Sequence, residues 1–164
     1  MQTRGTTLNW KRALGTFLLA YVAITILGTA FSLGIAAVQH IPDTAKPMQN
    51  AAYLLTERFL PGMNLLVWAS AAWLYFRRSP QESIMRHQSL ALGAFWLAVA
   101  LPLDLIAFVL IKTPLSLSPY DFYVGQFPWI YLIYLAVFVS PLCYVTWHRI
   151  SVKTVTVAHG TKET

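Results

Sequence analysis

Charge is scarce in this chain. Of 164 residues only 11% are Asp, Glu, Lys or Arg, while 57% are hydrophobic, against about 25% charged in ordinary soluble domains. Water is therefore not expected to be its main solvent. Cysteine is scarcer still: Cys143 is alone, which excludes an intrachain disulfide and any chemistry that needs a cysteine pair. His40, His87, His148 and His159 show no His-x3-His or Cys/His spacing, so neither a metal nor a haem is expected, and no cofactor is assigned. A clustered acidic motif and a recognisable serine–histidine signature are both missing. No catalytic residue is named on that basis, and an enzyme is the less favoured class. Nor does one half of the sequence repeat the other, which leaves an inverted-repeat transporter within one chain without support.

What the chain does have is long apolar runs. A bilayer's hydrocarbon core, about 30 Å thick, needs roughly 20 helical residues to cross, because unpaired backbone groups are not tolerated in lipid. Four runs meet that length, at residues 13–38, 59–76, 89–111 and 128–146. The first carries no charge and is too long for the apolar region of a cleaved leader, so it reads as a permanent span. Residues 50–58 are apolar enough to extend the second helix outward, which leaves Glu57 and Arg58 near the outer boundary. Pro128-Trp129 suits a first helical turn. The expected fold is an all-α integral membrane protein: residues 1–150 form a small bundle of four transmembrane helices, and the polar tail 151–164 is expected to be disordered.

Lys and Arg set the orientation. Arg4, Lys11, Arg12, Arg77, Arg78, Arg86, Arg149, Lys153 and Lys162 fall on one side of the four spans, and Lys46, Arg58 and Lys112 on the other. This bias places both termini in the cytoplasm, most naturally at a plasma (inner) membrane. Trp10, Trp73 and Trp147 then fall at the inner interface and Trp129 at the outer one, where an indole buries its ring and still hydrogen-bonds. The formal net charge of +6 is assigned to anionic lipid headgroups at the cytoplasmic face, and no nucleic-acid partner is expected. In the second outer connection, Ser118-Pro119-Tyr120-Asp121 has the capping serine, first-turn proline and first-turn acid of a short interfacial helix ending at Gly125. Its aromatics serve either as a lid or as an ordinary interfacial anchor.

Asp104 is the charged residue farthest from any span boundary. Such an acid costs about 2.5–3.5 kcal/mol at mid-membrane on insertion scales, so it is expected to face protein or a cavity. Counting inward at 1.5 Å per residue from Lys112 and from Arg58 puts Asp104 and Asn64 at one depth, roughly 9–12 Å below the surface. Ser32 on the first helix and Tyr134 on the fourth reach the same level. The candidate intramembrane polar site is thus Asp104, Asn64, Ser32 and Tyr134, with Arg58 reaching down as a counter-ion. Two roles stay open for the acid: an ion- or proton-responsive group in a small-solute or ion transporter working as an oligomer, or an interhelical tie in an accessory or regulatory subunit of a larger membrane protein. Pro61, Pro102 and Pro141 interrupt three spans and free the carbonyls of Glu57, Ala98 and Val137. Gly28, Ser32 and Ala36 form a small-residue stripe that admits a neighbouring helix, from this chain or another copy.

Overall fold

The computed structural model describes residues 8–41, 47–77, 82–111 and 116–160, and the chain within them is all-helical. Four helices are long and apolar enough to cross a membrane. They are α1 (Trp10–Gln39), α2 (Ala51–Phe76), α3 (Glu82–Asp104) and α4 (Trp129–Gly160). Each follows from its run of apolar residues, whose backbone groups find partners only within the helix itself.

The caps decide where the helices begin and end. Asn9 accepts the backbone N–H of Arg12 at 3.1 Å and starts α1, which stops where His40 turns left-handed at φ 52°. Asn50 accepts the N–H of Ala52 at 2.9 Å, so α2 begins at Ala51 and takes Thr56, Glu57 and Arg58 into one continuous helix with the run expected at 59–76. At the other end of the chain, α4 stays helical to Gly160, beyond both the boundary expected at 146 and the start of the tail expected to be irregular. No proline or glycine lies between Thr146 and Gly160. The fall in hydropathy at 146 therefore marks the end of the apolar run and not of the helix. Past Pro102, α3 loosens into wider π-helical turns over Leu105–Leu110, where the N–H of Ile111 reaches back five residues to the carbonyl of Ile106 at 3.0 Å. Asp104 is the last residue before that change.

Two prolines stay inside helices that remain unbroken, Pro61 in α2 and Pro141 in α4. At Pro141 the reason is visible: the buried Ser140 hydroxyl donates to the carbonyl of Val137, the acceptor that proline leaves free, at 3.1 Å.

Helix α2 packs against both α1 and α4, and α3 packs against α4, while α1 and α3 meet only slightly. One half of the molecule is closed. There the side chains of Phe17, Trp68, Trp96, Phe76 and Leu92 are fully buried among alanines. The Trp68 and Trp96 rings lie 5.1 Å apart and Phe17 lies 5.3 Å from Trp68. Polar ties knit the same half. Trp96 Nε1 donates to the Ala13 carbonyl at 3.0 Å, and Arg12 Nη2 donates to the Leu74 carbonyl at 2.6 Å. Gly93 brings α3 against the α4 backbone so tightly that a Cβ there would stand 2.2 Å from the Phe138 carbonyl oxygen. In the other half Gly28 of α1 faces Leu60 of α2, so this part of the small-residue stripe is used within the chain.

Candidate functional site

The second half of the helices lines an open-sided cavity of about 520 Å³. Its wall is built from two sequence stripes at helical spacing. On α1 they are Tyr21, Thr25, Gly28 and Ser32; on α2 they are Tyr53, Glu57, Leu60, Asn64 and Trp68. Asp104 enters from the end of α3, Phe108 from the π-helical turns, and Tyr134 from α4. A short helical segment, with Ser118 as cap and Asp121–Gly125 in π-helical turns, adds Phe122, and Gln126 follows it. Ser118 caps in both directions: its Oγ donates to Asp121 Oδ2 at 2.8 Å and accepts the Asp121 N–H at 3.0 Å. Phe122 of this segment is buried against the cavity while Tyr120 is exposed. One aromatic thus faces the cavity and another faces out.

Of the five residues read from the sequence as a site, Ser32, Asn64, Asp104 and Tyr134 line this one cavity. Arg58 does not; it is exposed. The reason is angular. Successive helical residues point about 100° apart, so the turn that aims Glu57 inward aims Arg58 away, and the counter-ion expected for Asp104 is replaced by a phenol. Tyr21 donates its hydroxyl to Asp104 Oδ1 at 2.7 Å. The Tyr134 hydroxyl lies within electrostatic reach of the same carboxyl group but is buried and completes no hydrogen bond. Asn64 is fully engaged, its Nδ2 donating to the Leu60 carbonyl at 2.9 Å and its Oδ1 accepting from Trp68 Nε1 at 3.0 Å.

A second acid shares the cavity. Glu57 is only 4% exposed; Tyr53 and Gln126 lie within reach of its carboxyl group, while its Oε1 completes no hydrogen bond among the described residues. Gln126 donates its side-chain amide to the Tyr53 hydroxyl beside it. Tyr21, Tyr53, Glu57 and Gln126 escaped the depth argument because it took one residue per helix at the level of Asp104 and set Glu57 at the outer boundary. Two signals were present all the same: the Asn50 cap, which moves the start of α2 to 51, and the i, i+4, i+7, i+11 spacing of 21, 25, 28 and 32.

Chemically, the cavity offers carboxyl and phenol oxygens, hydroxyls and amides on a predominantly apolar frame. Among the described residues no group of three or more His, Cys, Asp or Glu is placed to hold a metal ion. Comparison with known protein families, with curated proteins and with solved structures finds no match for this chain.

Proposed function

We propose that this chain is a multi-pass membrane protein that binds a small solute or ion in its intramembrane cavity and carries it across the bilayer. Both termini would lie in the cytoplasm of a cell with the protein in its plasma membrane, and the basic ends of the helices would rest on anionic headgroups. The observation that carries the reading is that Asp104 and Glu57, acids on two different helices, line one cavity between helices otherwise suited to lipid. Ionisable groups held at such a place characteristically mark ion and solute paths. Oligomerisation was expected because a single four-helix chain seemed too small to hold a lumen. A cavity of about 520 Å³ within one chain removes that requirement for binding, and a second copy would serve the crossing step.

The other reading, an accessory subunit, draws on α1, whose Leu14, Leu18, Leu19, Val22, Ile26 and Leu27 are all exposed apolar side chains. Lipid covers such a face as well as a partner does. The two readings part in reconstitution. Purified chain alone in liposomes should give transient currents on concentration jumps of at least one of sodium, potassium, phenethylammonium and phenylacetate. Silence with all four, together with recovery of the native protein in a stable complex with a larger membrane protein, would replace transport by the accessory role.

A further inference from the structure

The two acids of the cavity stand in different circumstances. Asp104 is already held, with Tyr21 donating to its Oδ1 at 2.7 Å. Glu57 is 4% exposed and lines the same cavity; Tyr53 and Gln126 stand beside its carboxyl group, yet its Oε1 completes no hydrogen bond among the described residues. A carboxyl oxygen buried without a donor is costly, and a ligand that brings both N–H donors and positive charge removes that cost. The surroundings add a second requirement. Trp68, Phe108, Phe122 and Trp129 line the cavity, and aromatic faces attract cations while accepting apolar bodies beside them.

Access supplies the third. The cavity-lining α1 residues Thr25, Thr29 and Leu33 are exposed, and α1 scarcely meets α3. The cavity therefore opens sideways, between helices whose outer faces are apolar, at a level reached from the lipid. A solute that arrives this way must partition into a bilayer. We infer that the cavity takes an amine with an apolar body, its ammonium hydrogen-bonded to Glu57 and its body against the aromatic wall, while Asp104 remains tied to Tyr21. The volume suits a ligand of this size. This inference rests on the solute-binding reading above and narrows it to one chemical class and one acid.

Binding to the full chain in lipid nanodiscs, corrected for empty nanodiscs, tests it with three probes of one shape: phenethylamine, 2-phenylethanol and phenylacetate. Phenethylamine should bind at least about tenfold more tightly than either analogue. Glu57→Gln, which keeps the shape and removes the charge, should abolish that preference. Glu57→Asp should keep part of it. The comparison of probes on the unaltered chain stands even where a variant fails to fold. Equal binding of amine and alcohol would overturn the inference, as would a preference that survives Glu57→Gln. Currents from another solute without any amine preference would overturn this inference and leave transport standing; amine preference without currents would do the reverse.

Discussion

The two halves of this molecule are made from the same four helices, yet one is closed and the other is hollow. In the closed half large rings alternate with alanines, and Gly93 lets two backbones touch, so side chains fill the space between helices. In the hollow half the stripes facing inward carry tyrosines, threonines, a serine, an asparagine and two acids. Polar side chains there bond to their own helices, as Thr25 does to the Tyr21 carbonyl at 2.8 Å and Thr56 to the Ala52 carbonyl at 2.7 Å. Groups that satisfy themselves locally do not draw helices together. Where lipid is the alternative environment, helix association depends on close packing and not on escape from water. The closed half has that packing and the hollow half has exchanged it for a cavity.

The contrast is sharpest for one substitution made in both halves. Gly93→Ala places a methyl group on the Phe138 backbone, which cannot turn aside as a side chain can, and should destabilise the protein by about 3 kcal/mol. Thermal unfolding in detergent measures this. An effect below about 1 kcal/mol would mean that the two backbones are not in contact. Next in size is Ser140→Ala, which strips the Val137 carbonyl of its donor beside Pro141 and should cost about 1 kcal/mol by the same assay. Asp104→Asn should cost less, because an amide oxygen still accepts from Tyr21. Loss of well over about 2 kcal/mol there would instead identify a charge-assisted bond from Tyr21 to an ionised Asp104.

The smallest effect belongs to the hollow half. Gly28→Ala meets only the flexible tip of Leu60 at 3.1 Å and should change stability by less than about 0.5 kcal/mol. Equal effects for the two glycine substitutions would erase the distinction between the halves. The proposed orientation gives the comparison a direction. Reporters fused after Phe76 and at Thr164 should both register as cytoplasmic, which would put the closed half on the cytoplasmic side, and an external C-terminus would refute the even number of crossings.

The existence of the four helices was legible in the sequence, because their apolar runs are long and, apart from Asp104, free of charge. Their ends were less so. The apolar stretch 50–58 announced the outward extension of the second helix, which the Asn50 side chain starts at Ala51, but it left Glu57 at the outer boundary, where the helix instead turns that residue into the cavity. Depth counting brought Ser32, Asn64, Asp104 and Tyr134 to a common level because it uses only helical rise. It failed at Arg58 because level does not fix direction around a helix. The π-helical turns after Asp104 had no sequence signal beyond Pro102. That widening depends on what neighbouring helices offer the freed backbone groups, which a single chain read in order does not contain.

The length of α4 has a mechanical consequence. Its 32 residues span roughly 48 Å, against about 30 Å of hydrocarbon. Beyond Pro141 the remaining helix is an arm of roughly 28 Å, and a tilt of 10° at that proline would sweep its tip through roughly 5 Å. Val137, whose carbonyl Ser140 secures at the fulcrum, also lines the cavity. The cavity wall and the root of this arm thus share one residue, so a tilt of about 10° there would carry the tip through several ångströms beyond the hydrocarbon.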